Sequence, residues 1–183
     1  MLDRLFFGSY NTEQFAAAQR WCDEGGRRFP ANPTWTQCHL WLMLRRDAPR
    51  DVPRAWQLAA RFDSLYAGRP DSVREYQRRF AQMLVGGAIG KKVAGAPSPL
   101  LDSARRVLVR ARADARIDPS HELPGYEAVM RAQLGDEDEA LQLLREYVGY
   151  NPGHSFLVGN NLHWWWRELS DKPAFEALRR RGK

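Results

Sequence analysis

The stretch Pro124–Pro152, PGYEAVMRAQLGDEDEALQLLREYVGYNP, decides the fold, because a tight turn separates two helical patterns in it. In each pattern the apolar residues recur every three or four positions, which places them on one face of a helix. Gly135 can adopt the left-handed conformation after a helix, and Asp136 can cap the next helix together with Glu139. We therefore predict two antiparallel helices with these inward-facing residues: Tyr126, Val129, Met130, Leu134, Ala140, Leu143, Leu144 and Tyr147.

This helix pair resembles a tetratricopeptide repeat, which is a helical hairpin of about 34 residues. Arg131 stands where the family usually has an aromatic residue, and Tyr147 where it usually has a small one. The resemblance implies a scaffold that binds other proteins and has no chemistry of its own. The residues that match the family at its relative spacing are Ala128, Gly135, Ala140, Leu144 and Pro152.

Looser copies of the same pattern run along the rest of the chain, and one of them places Trp35, Cys38, Trp41 and Leu42 on the inner face of a helix. We predict an all-α fold in which antiparallel helix hairpins stack as a short tetratricopeptide-like α-solenoid, a single domain over 1–183 with about four helix pairs. The predicted helices outside the central pair are Thr12–Arg28, Thr34–Arg46, Pro53–Tyr66, Ser72–Val85, Leu100–Ala111, Leu162–Leu169 and Pro173–Arg181.

Two further stretches bear on the architecture. Residues Gly86–Pro99, GGAIGKKVAGAPSP, have no strong period, and either a continuing helix or an extended loop fits them. Residues 153–183 are predicted to form a C-terminal cap, because a solenoid needs a cover for its last apolar face. The phrase DKPAF over Asp171–Phe175 resembles the closing segment of many bacterial tetratricopeptide proteins.

The composition is that of an ordinary globular protein, with 44% hydrophobic and 27% charged residues. No apolar run approaches the ~18 residues that span a bilayer, and the start, MLDRLFFGSY, lacks the apolar core of a secretory signal. We therefore expect a cytoplasmic protein, with a peripheral position on the cytoplasmic face of a membrane as the alternative. Cys22 and Cys38 fall on apolar helical faces, where buried free thiols are favoured over a disulfide.

No motif in the chain indicates catalysis, a cofactor or a metal. Gly90-Lys91 matches the end of a phosphate-binding loop, but Lys92 stands where that motif needs Ser or Thr, and a helix precedes it. The histidines lack metal-binding spacing, and adjacent Cys38 and His39 point in different directions on a helix. We therefore expect no catalytic, cofactor-binding or metal-ligating residues, and a protein without enzymatic activity.

Two apolar clusters are candidate interaction sites. The opening cluster is predicted to form a short first helix that ends in a turn over Gly8–Asn11. It either folds back onto the next helix or docks on another protein, a second copy or a membrane surface. The run of consecutive tryptophans covers about 300° of a helix, so its members cannot all face one core. We expect one or two of them in the cap and one at an interface, with a membrane headgroup layer as the minor alternative. The candidate residues are Leu2, Leu5, Phe6, Phe7, Trp164, Trp165 and Trp166.

A basic surface is the third candidate, because the chain has 28 Lys and Arg against 22 Asp and Glu, a formal charge of +6. Its arginines either stay solvated or contact an acidic protein or an anionic lipid surface. Interspersed acids and the lack of a reader motif make nucleic acid the least favoured partner. The residues are Arg105, Arg106, Arg110, Arg179, Arg180 and Arg181.

These features predict a non-enzymatic interaction or bracing subunit of a larger protein assembly. The specific hypothesis is an extrinsic subunit of a bacterial respiratory or photosynthetic membrane complex, in contact with the membrane surface or with membrane-protein subunits. The alternative is a regulatory tetratricopeptide module that captures a peptide or a signalling protein in its groove.

Overall fold

The computed structural model describes residues 1–91, 98–154, 158 and 164–180. Within this part the chain is built from helices and contains no strand, so the prediction of an all-α fold is confirmed. The helices are α1 Leu2–Asn11, α2 Phe15–Arg28, α3 Pro33–Met43, α4 Val52–Leu65, α5 Asp71–Gly90, α6 Ser98–Ala111, α7 Glu122–Leu134, α8 Glu137–Tyr150, a 3₁₀ helix Trp164–Leu169, and α9 Pro173–Arg180. Leu162 and Arg181, which bound two of the predicted helices, lie outside the described residues.

Local chemistry sets several helix ends. The Asn32 side chain accepts a hydrogen bond from the Thr34 amide at 3.0 Å, and Pro33 is the first residue of α3. At the C-terminal end of α7, Gly135 has a φ of 86°, which is the left-handed conformation that the sequence predicts there. These residues explain why α3 begins and α7 ends where they do.

The predicted capping box at the start of α8 is wrong. Asp136 occupies the N-cap position, but its carboxylate makes no capping hydrogen bond. It accepts instead from Arg105 Nε at 3.0 Å and from Arg131 Nη1 at 2.9 Å. Two charged donors outcompete a neutral backbone amide because charge-assisted hydrogen bonds are roughly twice as strong.

The first helix is longer than the sequence predicts. α1 runs through Gly8 to Asn11, where we expected a turn, because Phe6 and Tyr10 are both fully buried one helical turn apart. Their rings stack at 5.5 Å between centroids. The bend comes later, at Glu13, which has a positive φ of 59°. α1 then packs back against α2, as one of the two alternatives for this segment required.

Helix α5 extends to Gly90, so the helical alternative is correct for the first part of the glycine-rich stretch. Its glycines permit close packing: a Cβ at Gly87 would overlap Met130 of α7, and one at Gly90 would lie 2.5 Å from the Ala104 Cβ of α6. The stretch therefore packs α5 against its neighbours up to Gly90. Residues 92–97 lie outside the described part.

The helices pack as successive pairs. Each of α1, α3, α5 and α7 packs against the helix that follows it, and these four first helices also contact one another in chain order. The 3₁₀ helix packs on α7, and α9 packs on α8. One continuous apolar core results, with large buried side chains such as Trp41, Phe62, Leu84 and Leu144.

A disulfide joins the first helix pair to the second. Cys22 of α2 and Cys38 of α3 are bonded, their Cα atoms are 5.9 Å apart, and both side chains are buried. The expectation of free thiols is therefore wrong in this structure. Sequence reasoning placed both cysteines on apolar faces but could not place the two faces against each other.

Over the residues that the structure describes, every helix is too short or too polar to cross a bilayer.

Candidate functional site

A cavity of about 280 Å³ lies between α1, α3, α7 and the 3₁₀ helix. Its walls are mainly aromatic, and its polar groups are few. This combination, concave and largely apolar with a few placed polar groups, is typical of ligand sites, although the volume is at the low end of their range. The aromatic lining residues are Phe7, Trp41, Tyr126, Tyr147, Trp165 and Trp166, and the polar ones are Asn11, Gln37 and Glu122.

Trp41 of α3 forms the centre of the aromatic wall. Its side chain is only 2% exposed, and Trp165 stacks on it at 5.0 Å with an angle of 6° between the rings. Tyr126 of α7 lies 6.0 Å from Trp41, and Phe80 of α5 supports Tyr126 from behind at 4.7 Å. The first helices of three successive pairs, α3, α5 and α7, therefore hold this wall in place.

The tryptophan run folds back onto the start of the chain. Trp164 Nε1 donates to the Tyr10 carbonyl at 3.2 Å, and the Tyr10 hydroxyl donates to the Trp41 carbonyl at 2.8 Å. Trp164 and Trp165 are half-buried, and Trp166 is buried beside Phe175 of α9. All three tryptophans thus contact their own chain. That one of them also meets a partner remains a prediction, and it rests on the two that keep some exposure.

Glu122 marks the polar end of the cavity. One of its oxygens accepts from the Tyr147 hydroxyl at 3.3 Å, and the other lies 3.2 Å from His154 Nε2. His154 Nδ1 lies 2.9 Å from the Tyr147 carbonyl, so Nδ1 carries a proton, because a carbonyl oxygen can only accept. The imidazole also stacks on the Tyr147 ring at 3.9 Å. This network fixes the position of the carboxylate.

The tyrosines of the cavity remain protonated at neutral pH. Burial raises the pKa of Tyr126 to about 12, and the charges of Glu122 and Asp118 add to the shift. The pKa of Tyr147 is raised as well, first by burial and then by Glu122. Both hydroxyls therefore act as hydrogen-bond donors in the physiological range.

Two buried polar atoms at the cavity have no hydrogen-bond partner among the residues that the structure describes. They are Trp41 Nε1, a donor, and Asn11 Oδ1, an acceptor. Buried polar groups in folded proteins nearly always have a partner, and leaving one unpaired costs about 1–3 kcal/mol. Both residues line the cavity, and both unpartnered atoms are themselves covered by protein atoms.

The charge of the cavity differs from that of the chain. The protein carries a formal charge of +6, yet the described residues of the lining include one carboxylate and no lysine or arginine. The His154 imidazole lies 3.2 Å from the Glu122 carboxylate. The wall therefore favours a neutral or cationic occupant over an anion.

The predicted arginine surface divides into two groups. Arg105 is bound internally, because it pairs with Asp136 and, at 3.3 Å, with Asp102. Arg179 and Arg180 both pair with Glu176, at 2.6 Å and 3.1 Å. Arg105 joins α6 to the start of α8, whereas the pairs of Arg179 and Arg180 lie within α9, and Arg180 remains exposed. Arg181 lies outside the described residues.

Arg106 and Arg110 form the second group. Both are exposed on α6, one helical turn apart, and neither makes an ion pair with any described residue. Val109, which is 51% exposed, lies beside them on the same helix. We call these residues the α6 surface, and it presents two unpaired guanidinium groups around an apolar side chain.

The opening apolar residues are also divided by the structure. Phe6 is fully buried and cannot reach a partner in this conformation, whereas Leu5 is 37% exposed. Leu2 and Phe7 are half-buried, and Phe7 lines the cavity. Leu2 and Leu5 are the members of this cluster that a partner could contact from outside.

Lys91 has a structural role that sequence reasoning missed. The side chain is buried, and its ammonium donates to the carbonyls of Met43, Arg45 and Ala48 at 2.9, 2.8 and 2.6 Å. These carbonyls lie at and beyond the end of α3, where cations are favoured. The resemblance of Gly90-Lys91 to a phosphate-binding loop thus has a packing explanation.

One cluster of potential metal ligands is present among the described residues. The ligand atoms of Cys22, Cys38 and His39 lie within 4.8 Å of one another, although the sequence suggested that Cys38 and His39 diverge. The two sulfurs are bonded to each other, so they are not available as thiolate ligands in this state. Burial lowers the pKa of His39, which keeps the imidazole neutral.

Comparison with known proteins adds no identification: no family model, no curated protein and no solved structure matches this chain.

Sequence reasoning found part of the cavity and missed the rest. It placed Trp41 and Tyr126 on inner helix faces and showed that the tryptophan run could not face one core. It missed Asn11, Gln37 and Glu122, because a single polar residue on a helix gives no signal until the helices around it are arranged.

Proposed function

We propose that this chain is a non-enzymatic interaction module that binds a protein partner through the α6 surface and braces a larger assembly. In this proposal the helix pairs stack as a tetratricopeptide-like solenoid, and the outer side of α6 faces the partner. Binding depends on complementary shape and charge, and the chain supplies no reacting group.

The α6 surface is the observation that carries the proposal. Most arginines around it are used internally, while Arg106 and Arg110 remain exposed and unpaired among the described residues. Arginine is enriched in protein interfaces because its planar fork binds carboxylates with two hydrogen bonds. An apolar centre with a charged rim, as Val109 and the arginines provide, is the usual composition of an interface.

The partner chemistry that fits this surface is an acidic protein face. A bacterial membrane complex with an exposed acidic subunit remains the specific hypothesis for the assembly. The net charge of +6 would speed association with such a face and would make it sensitive to salt.

The cavity favours a second candidate, a regulatory module that binds a ligand on its inner surface. Its support is the pair of unpartnered polar atoms, Trp41 Nε1 and Asn11 Oδ1, at a concave aromatic wall. The two candidates are compatible, because the cavity and the α6 surface are formed by different residues.

Site-specific photocrosslinking tests the proposal. A benzoyl-phenylalanine introduced at Val109 should crosslink to one acidic protein in cells of the source organism. The same group at Val73, which is 40% exposed on α5, is the matched control and should give no such product. Equal crosslinking at both positions, or none at Val109, would contradict a specific interface on α6.

A further inference from the structure

We infer that the aromatic cavity binds a small molecule with a quaternary ammonium group and a nearby oxygen, such as an amino alcohol of the choline type. This inference deepens the second candidate function and does not depend on the α6 surface.

The aromatic wall favours a weakly hydrated cation, such as an alkylated ammonium, over a strongly hydrated one. Cations are attracted to the faces of tryptophan and tyrosine rings, and the attraction increases where water is excluded. The cavity is lined by Trp41, Tyr126, Tyr147 and Trp165, and it contains the single carboxylate of Glu122. A primary ammonium is strongly hydrated and would lose that hydration here, whereas an alkylated ammonium presents apolar methyl groups to apolar walls.

The lining also excludes the opposite charge. Among the described residues, no lysine or arginine side chain lines the cavity, although the chain has 28 of them. An anionic ligand would therefore meet the negative ring faces and the Glu122 carboxylate, whose oxygens are held by the Tyr147 hydroxyl and the His154 imidazole. The His154 imidazole, which lies 3.2 Å from Glu122, is held on the carboxylate by its own hydrogen bonds.

Two residues of the lining carry unpartnered polar atoms, which an oxygen on the ligand can satisfy when the side chains turn toward it. Trp41 Nε1 needs an acceptor, and Asn11 Oδ1 needs a donor. A hydroxyl group can serve either residue, because it donates one hydrogen bond and accepts others. The volume of about 280 Å³ suits a ligand of this size better than a drug-sized molecule.

Titration with choline and its neutral isostere tests the inference. In 3,3-dimethylbutan-1-ol a carbon replaces the nitrogen, so the two probes share their shape and differ in charge. We expect saturable one-to-one binding of choline by calorimetry, with quenching of tryptophan fluorescence, and an affinity about tenfold higher than that of the isostere. Equal affinities would show an apolar site and would overturn the choice of ligand class.

Two variants locate the binding. Glu122→Gln keeps an acceptor for the Tyr147 hydroxyl but removes the charge, and it should weaken choline binding about fivefold while leaving the isostere unchanged. Gln37→Arg places a cation in the lining and should abolish choline binding. Gln57→Arg adds the same charge to an exposed position on α4 and should have no effect. Choline binding that survives Gln37→Arg would place the ligand elsewhere and refute the inference.

A second binding experiment, with a peptide, distinguishes a free small molecule from a protein side chain as the source of the ammonium group. A trimethyl-lysine peptide that binds while free choline does not would show that the occupant is a partner side chain, and the small-molecule inference would be wrong. Failure of both probes would refute any ammonium site. The crosslinking test at Val109 is unaffected by these outcomes, so failure here and failure of the proposed bracing role can be distinguished.

Discussion

Removal of the Cys22–Cys38 disulfide should lower the stability of the protein by a measurable and calculable amount. The bond joins residues with a sequence separation of 16, and closing a loop of that size in the unfolded chain is worth ~3 kcal/mol in the chain-entropy model. For a chain of this length, each kcal/mol moves the melting temperature by about 2–4 °C. Reduction should therefore lower it by roughly 6–12 °C.

The assay is guanidinium unfolding with and without dithiothreitol, followed by circular dichroism at the helical band. The double variant Cys22→Ala/Cys38→Ala is the control, and the reductant should not change its stability. Because both sulfurs are buried, the variant also loses some packing and should be slightly less stable than the reduced wild type. A change below ~1 kcal/mol on reduction would refute the entropic argument.

A thiol assay on protein purified without reductant bears on the location of the protein. Disulfides persist in oxidising compartments, while glutathione and thioredoxin keep cytosolic thiols reduced. No free thiol in the denatured native-source protein would contradict the predicted cytoplasmic location. Free thiols at both cysteines would instead contradict the disulfide and favour the cytoplasm.

Three further perturbations have defined expected outcomes. Glu127→Gln should cost about 2 kcal/mol in urea unfolding, because Arg131 and Arg112 each lose a charge-assisted hydrogen bond, although Arg131 keeps Asp136 as a partner. Exposed Glu146→Gln should change stability by less than about 0.5 kcal/mol. Gly25→Ala should lower the free energy of unfolding by about 1–3 kcal/mol, because its Cβ would overlap the Trp35 ring. Gly26→Ala should not destabilise the protein, because its Cβ would lie 3.7 Å from Trp35. Equal effects of the two variants in thermal melts would refute the packing argument. Burial lowers the pKa of Lys91 from 10.5 in the unfolded chain to about 8 in the folded protein, so the unfolded chain binds more protons between these two pH values. The free energy of unfolding should therefore rise as the pH increases from about 8 to 10.5. In unfolding series at several pH values, Lys91→Met should remove this rise.

The sequence was sufficient for features that depend on neighbours along the chain. The turn at Gly135 follows from a residue that tolerates positive φ, and the inner position of Trp41 follows from helical spacing. Both are local properties. Helix-pair assignment from such patterns was therefore correct over most of the described residues.

Features that depend on distant contacts could not be predicted. Trp164 bonds to Tyr10 across a sequence separation of 154 residues, and this contact joins α1 to the 3₁₀ helix that carries the lining residues Trp165 and Trp166. Arg105 and Arg106 are adjacent arginines in the same stretch of sequence, yet only Arg105 contacts Asp136. The orientation of one helix against another decides which arginine remains free, and periodicity within one helix does not contain that information.

The most direct test of the interaction role is affinity purification at native expression with a charge-reversed α6 surface. We expect the wild type to retain a stoichiometric acidic partner that the Arg106→Glu/Arg110→Glu variant loses. The variant Arg20→Glu/Arg54→Glu, which makes the same charge change at exposed positions on α2 and α4, should retain that partner. A wild-type protein that purifies alone, or a partner retained equally by both variants, would contradict the proposed function.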